Sequence, residues 1–326
     1  MFQSWLLHGT VTRSFLACAF LPFLKVLKDP SLTDSYKAVA GSSVILNFSK
    51  TLVKLLDYVV LDIWGDCLVS DSLQFGYKRK TSTTECSWLV MTVADHFRRR
   101  GSPFFCATLD AKQGFDRCSW NVIFTSLRDR QLPAVVIRVL MYVYVEQTAV
   151  VRWGRATSEP FQLSNSTRQG SVISPAICCV YCEALISQLR KLGLGCRMYD
   201  IYVGITIYAD DVILLAPSRY ALQEMLKVTD KFAEHHNIVF STHEDPTKSK
   251  SKCLWFTGKT QVPKYPAPLF LNSKALPWVK TATHLGHELS QECNTEHSAW
   301  CSRVKFIDKS VTIILGSENT SSSSDA

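Results

Sequence analysis

The stretch Ile207-Tyr208-Ala209-Asp210-Asp211-Val212-Ile213-Leu214-Leu215 sets two adjacent carboxylates between two apolar runs. Gly204–Tyr208 is rich in β-branched and aromatic residues, and Val212–Ala216 is aliphatic. With so few residues between them, the runs read as a tight hairpin of buried strands. Asp-Asp alone most often marks a solvated turn, because Asp suits turn geometry. Here the flanks are buried strands, and a buried charge is costly unless it is paired or metal-bound. A divalent cation answers that cost. Two carboxylates at a hairpin tip form a hard-oxygen site suited to Mg²⁺, which keeps waters and takes phosphate oxygens as further ligands.

A second segment follows the same logic. Phe104–Leu109 reads as a buried strand, and Asp110 stands at its end. The chain between Asp110 and Asp210 is long enough for intervening helices, so the two strands can be sheet neighbours. Three carboxylates at one sheet edge could hold two Mg²⁺ ions about 3.5–4 Å apart. One would acidify an attacking hydroxyl and the other would hold a triphosphate. Phosphoryl transfer needs little beyond such positioning and charge neutralisation.

The 326-residue chain is 47% hydrophobic, enough for one large core or two smaller ones. Lys and Arg number 36 against 28 Asp and Glu, a net charge of +8 that suits a polyanionic partner. Basic residues clump at Lys78-Arg79-Lys80, at Arg98-Arg99-Arg100 and at Lys248, Lys250 and Lys252. Solvated surface is the ordinary meaning of such runs. Beside an acidic site that handles nucleotides they also fit a surface that tracks a phosphate backbone. The 12 cysteines form no regular framework, which points to a reduced, intracellular protein, nuclear or cytoplasmic. Cys179 and Cys182 have CxxC spacing within a helical pattern and read as small core residues. His284, His287, Cys293, His297 and Cys301 lack the paired spacing of a zinc site. The apolar run Phe15–Leu27 is interrupted by Pro22 and Lys25 and is too short to span a bilayer. It reads as a helix packed on the body of the protein, with no membrane partner.

Helical spacing extends over Val44–Leu61, with Thr83 as cap of the next helix through Trp88, Val90 and Met91. Further helices are expected around Trp120–Leu127, after Pro133, after Ser174-Pro175 to about Leu192, and over Leu222–Ala233. Ala149–Trp153 and Glu159–Leu163 alternate like a hairpin around Gly154. Val239-Phe240 and Leu254-Trp255-Phe256 read as short strands bracketing the lysines. Pro263, Pro266, Pro268 and Pro277 read as a linker, and the serine-rich tail from Gly316 as disordered.

Taken in order, several motifs carry a resemblance. They are Ala107-Thr108-Leu109-Asp110 with Phe115-Asp116, Arg168-Gln169-Gly170-Ser171 with Ser174-Pro175, and Tyr208-Ala209-Asp210-Asp211. Lys248-Ser249-Lys250-Ser251-Lys252 and His284-Leu285-Gly286 follow. Together they resemble the successive motifs of reverse transcriptases of the non-LTR (LINE-type) retrotransposon family. Tyr36-Lys37-Ala38-Val39-Ala40 and Gln74-Phe75-Gly76-Tyr77 are similar to that family's N-terminal fingers motifs. A Tyr-Ala-Asp-Asp alone would be weak; the ordered set, each member in strand or turn context, is specific.

The resemblance implies an α+β right-hand polymerase: a palm of antiparallel sheet plus helices, helical fingers and a partial thumb. The implied division is an N-terminal extension and fingers over 1–100, and a palm over 101–260 with a fingers insertion near 130–165. A primer-grip region and the start of a thumb would occupy 261–315, with a disordered tail over 316–326. It implies an RNA-directed DNA polymerase core joining nucleotides to a primer 3′-OH with two Mg²⁺, or Mn²⁺. Its partners would be an RNA template, a DNA primer and dNTPs, with no obligate protein partner. Asp110, Asp210 and Asp211 match the catalytic metal ligands. Phe115 matches the residue beneath the incoming sugar, where a bulky ring excludes a ribose 2′-OH. Arg168, Gln169 and Gly170 match the segment lying on the nascent base pair and template. Lys250, with Lys248 as second choice, matches a proton donor near the leaving pyrophosphate. Lys78 and Arg79 match triphosphate contacts, and Gly286 the primer-grip turn.

The chain departs from that family's pattern in places. Lys37 stands where arginine is usual, keeping charge but losing the bidentate fork. Ser166 stands where glycine is usual, Gly114 where alanine is, and Gln113 where lysine is. None of these removes a carboxylate. Two other readings stay open: a degenerate, inactive polymerase fold that still binds RNA, and an unrelated α/β phosphotransferase.

Overall fold

The computed structural model describes residues 2–11, 16–24, 31, 36–41, 47–78, 81–112, 114–167, 171–256 and 266–290. In chain order the elements are α1 (Phe2–His8), β1 (Ala17–Leu24), β2 (Tyr36–Gly41), α2 (Asn47–Trp64) and α3 (Thr83–Arg99). Next come β3 (Phe104–Leu109), α4 (Trp120–Asp129), α5 (Ala134–Val145), β4 (Thr148–Trp153), β5 (Ala156–Thr157) and β6 (Phe161–Gln162). They are followed by α6 (Ser174–Leu192), β7 (Arg197–Met198), β8 (Ile201–Tyr202), β9 (Ile205–Tyr208), β10 (Asp211–Ala216) and α7 (Arg219–His235). The last are β11 (Lys252–Phe256), β12 (Leu269–Leu271), β13 (Lys274–Leu276), β14 (Thr281–His284) and β15 (His287–Ser290).

The central sheet runs β11-β3-β10-β9, antiparallel throughout. Its strands are continuous apolar runs because both faces are covered. Phe105, Ala107 and Leu109 of β3 and Val212, Leu214 and Ala216 of β10 join the core that includes Ile177 and Leu185 of α6 and Leu222 and Met225 of α7. The intervening residues Phe104, Cys106, Ile213 and Leu215 enter a second core with Val90 and Val93 of α3. Ala282 and Leu289 of the β14–β15 hairpin close that side. Alternation thus feeds two cores from the same strands. Each buried Leu or Ile there contributes about 1.5–3 kcal/mol over its exposed state. Cys179 and Cys182 are buried core residues of α6, as their helical setting suggests.

Several expectations change. Phe15–Leu27 was expected to be helical, but its described part is strand β1, paired antiparallel with β2 and parallel with β4. A short apolar run has no period that separates buried strand from buried helix. Pro22, which would break a helix interior, lies beyond the segment that pairs with β4. The cap of α3 is Ser82 rather than Thr83. Its side chain accepts from Glu85 N, and the Glu85 carboxylate accepts from Ser82 N, closing a capping box. Phe240 is a single bridge to Ala111, not a strand. The described part of the proline-marked region is no linker, since β12–β13 and β14–β15 are hairpins. The first docks on α7, where Asp230 accepts from Asn272 N and Gln223 bonds both Phe270 N and O. Pro263, Cys293, His297, Cys301 and the tail from Gly316 lie outside the described residues.

Candidate active site

One end of the central sheet gathers the charged residues. β3 pairs with β10 as far as Leu109↔Val212, so Asp110 and Asp211 follow one step beyond, on adjacent strands. Tyr208 pairs with Asp211, which leaves Ala209 and Asp210 as the two-residue turn between β9 and β10. Asp110 is fixed by its backbone: its N–H donates to Ser251 Oγ (3.2 Å) and its carbonyl accepts from Ser241 N (2.7 Å). The lysine–serine alternation before β11 has a simple reason. Ser249 and Ser251 are buried, while Lys248 and Lys250 point outward. Lys250 Nζ lies 3.8 Å from Asp110 Oδ2, whereas Lys248 faces Asp245 at 3.9 Å.

The acids feel one another. Burial, then the charges of Asp210 and Asp110, push the Asp211 carboxyl up to about 6. Gly114, in the turn after Asp110, is pressed close to Asp210. A Cβ there would sit 2.9 Å from Asp210 Cβ and 3.2 Å from its Oδ2, so glycine leaves that carboxylate its room.

The turn is braced from outside. Ala209 has φ +60, a left-handed conformation that costs a residue with a Cβ about 1–2 kcal/mol. Gln74 Oε1 accepts from Ala209 N (3.1 Å), and its Nε2 donates to Ala209 O (3.5 Å). The segment Leu73–Phe75 runs parallel to β9, with Ile207 N donating to Leu73 O and Phe75 N to Ile207 O. Gly76 lies so close that a Cβ would come within 2.3 Å of Ala209 N. Tyr77 follows near Asp210; burial and neighbouring charges push its hydroxyl up to about 12.

Other expected site residues are placed elsewhere or not described. Lys78 Nζ donates to the Asp71 carbonyl. Its charge interacts with Asp71 and Glu183, and burial lowers its pKa. Gly286, with φ +80, turns the β14–β15 hairpin. Phe115 lends its backbone to a short 3-10 turn, Gly114–Asp116, and its side chain is outside the described residues. Arg79, Gln113, Arg168, Gln169 and Gly170 also lie outside them. Just past that last segment, buried Asp57 of α2 accepts from Ser171 Oγ (2.7 Å) and Val172 N (2.9 Å). Gln74 and Ser251 figure in the sequence reading only as members of motifs, with no role of their own, and Asp57 does not figure in it. The one available sign was polar type at an apolar position, as for Asp57 between Leu56 and Val60.

Among the described residues no group of three or more His, Cys, Asp or Glu side chains forms a ready metal cage. The donor set still fits a hard divalent cation. It is all oxygen, and a cation would offset both the burial and the neighbouring charges that raise Asp211. An Mg²⁺-type site draws several ligands from water and phosphate rather than from protein.

A four-stranded antiparallel sheet with helices on one face, a helix and hairpin on the other and acids at one edge defines the right-hand polymerase class. Residues 43–289 match the family described as reverse transcriptase (RNA-dependent DNA polymerase), and the chain belongs to that family. Among curated proteins it is 23% identical over 229 residues to the retrovirus-related Pol polyprotein from type-1 retrotransposable element R2 of Nasonia vitripennis, covering 69% of this chain and 21% of that protein. It is 24% identical over 260 residues to the probable RNA-directed DNA polymerase from transposon X-element of Drosophila melanogaster, covering 77% of this chain and 26% of that protein. The motif-based resemblance to non-LTR retrotransposon enzymes is borne out. The chain spans about a fifth to a quarter of the length of these two relatives (21% and 26%). Among solved structures, apo telomerase from Candida tropicalis truncated from its C-terminal domain matches with a TM-score of 0.51 and 13% identity, over 86% of this chain and 54% of that one. The apo telomerase from the same organism matches at 0.51 and 11%, over 84% and 47%. These likenesses concern the fold. No helix among the described residues is long and apolar enough to cross a membrane.

Proposed function

We propose that this chain is the core of an RNA-directed DNA polymerase that extends a DNA primer on an RNA template with dNTPs. The carrying observation is that Asp110 and Asp211 sit on adjacent strands with Asp210 in the turn between, and Lys250 lies 3.8 Å from Asp110. Asp110, Asp210 and Asp211 would hold the divalent cations, Mg²⁺ or Mn²⁺. When bound, the cations favour the ionised primer 3′-OH and offset triphosphate charge. The chain's own part is positioning. The Ser241 and Ser251 contacts fix Asp110, and Gln74 fixes the turn that carries Asp210. Lys250, outward and largely exposed, is suited to give a proton to the leaving pyrophosphate. The family pattern assigns Phe115 to sugar selection, Arg168, Gln169 and Gly170 to the template-paired base, Lys78 and Arg79 to the triphosphate, and Gly286 to the primer. The Lys78 contact requires that its bond to the Asp71 carbonyl be released.

The test is RNA-templated primer extension. Wild type should incorporate dNMPs, Asp210→Asn should lose about 10³-fold or more, and Phe115→Ala should admit ribonucleotides. Incorporation that is equal in Asp210→Asn refutes the reading. A second reading, RNA binding without chemistry, is favoured by the altered fingers motif, where Lys37 stands in place of the usual arginine. Its signature is RNA affinity that falls with salt and ignores Mg²⁺, without incorporation.

A further inference from the structure

The geometry points to Gln74 as the positioning residue that holds the acidic turn in its working conformation, an inference that rests on the proposed polymerase reading. Ala209 is 5% exposed and stands in the turn, where no strand partner serves its N–H or C=O. Buried backbone groups of this kind must find partners. The Gln74 side chain supplies both: Oε1 accepts from Ala209 N at 3.1 Å, and Nε2 donates to Ala209 O at 3.5 Å. Gln74 is itself wholly buried, and its Oε1 also accepts from Gly76 N at 2.8 Å. Two N–H donors converging on one atom identify that atom as the oxygen, so the amide orientation follows from its bonds. A carboxamide carries an acceptor oxygen and a donor nitrogen on one carbon, the close pair that the N–H and C=O of a single residue require. A carboxylate at this place would accept from both N–H groups but leave Ala209 O unserved, and would add charge beside Asp210.

The consequence reaches the acids through the backbone. Ala209 takes φ +60 despite its Cβ, and the next two residues are Asp210 and Asp211. Gln74 clamps the Ala209 peptide, and Gly76 of the same segment approaches it so closely that a Cβ there would come within 2.3 Å of Ala209 N. A turn held this way aims Asp210 and Asp211 without Gln74 touching a reacting atom. Outer residues that orient ligands in this manner typically change cation affinity or activity by about 10–100-fold when removed.

The experiment compares the full chain with Gln74→Leu, Gln74→Glu and the pair Gln74→Leu/Ala209→Gly. Hydrogen exchange is read at peptides spanning 205–212, and Mn²⁺ uptake is read by calorimetry. In Gln74→Leu the Ala209 and Asp210 amides should exchange about 10-fold faster or more, while α6 and α7 keep their protection. Mn²⁺ affinity should fall about 10-fold or more, with kcat reduced and the KM for dNTP held. Glycine at 209 adopts the left-handed turn unaided, so the pair should recover most of the lost affinity. Gln74→Glu should keep the amide protection and still bind in altered, more pH-dependent fashion. Exchange at 205–212 within twofold of wild type in a folded Gln74→Leu overturns the proposal. So does failure of Ala209→Gly to restore Mn²⁺ binding. If Gln74→Leu does not fold, Gln74→Glu decides, and loss of its 205–212 protection overturns it. A wild type that takes up no Mn²⁺ and extends nothing defeats the polymerase reading instead, and the exchange arm still decides the brace.

Discussion

Ser166 has φ +104, a region that penalises any side chain, and it stands where the family pattern has glycine. Its backbone is tied down, with Ser166 N donating to Cys118 O (3.1 Å) and Trp120 Nε1 donating to Ser166 O (2.9 Å). Ser166→Gly keeps both bonds and should stabilise the fold by about 1 kcal/mol, read as a raised Tm; an unchanged or lowered Tm contradicts the strain. Asp211 is the second residue with a readable sign. Its folded value of about 6 lies above the ordinary 3.8. Between those pH values the folded chain holds a proton that the unfolded chain has lost. Metal-free stability is therefore greatest below about pH 4 with respect to this group and falls as pH rises through 6. Asp211→Asn should flatten that slope and stabilise the metal-free protein at pH 7.5 on the order of 1 kcal/mol, the full shift being discounted because the group is partly solvated. Denaturant melts from pH 4 to 8 check it, and an unaltered slope contradicts it.

Elements were legible where a period was long enough to read. α2, α4, α6 and α7 announce themselves by helical spacing, and β3, β9 and β10 by apolar runs that stop at acids. β1 did not, because its run is short and apolar throughout, and partners outside the run decide its state. The β12–β13 hairpin did not either. Its strands are three residues each, and α7 holds them through Asp230 and Gln223, contacts that no local pattern displays. Asp230→Ala should cost about 0.5–1.5 kcal/mol, the net worth of the hydrogen bond, since water can serve the exposed Asn272 N once the carboxylate is gone. Amides over 269–276 should then exchange faster while β3 and β10 stay protected. Equal exchange across 269–276 would show that the hairpin is held by apolar contact alone. The acids of the site were readable for the same reason as their strands. Gln74, Ser251 and Asp57 were not, because each acts on backbone far away in sequence, and their chemistry emerges only when the chain closes.

At the scale of the molecule, one sheet with two covered faces leaves a single edge at which distant segments meet. The turn after β3, the β9–β10 turn and the residues before β11 all arrive there, so Asp110, Asp210, Asp211 and Lys250 share a locality that their numbering hides. Two cores flank it. α6 and α7 pack one face, and α3 with the β14–β15 hairpin packs the other. In the proposed polymerase Asp110 belongs to the same cation site as the pair at the hairpin. The most direct measurement is calorimetric Mn²⁺ binding to the full chain at pH 7.5, wild type against Asp110→Asn. Uptake should be saturable and should weaken about 10-fold or more when this one sequence-distant carboxylate is neutralised. Unchanged affinity in a folded Asp110→Asn would contradict it.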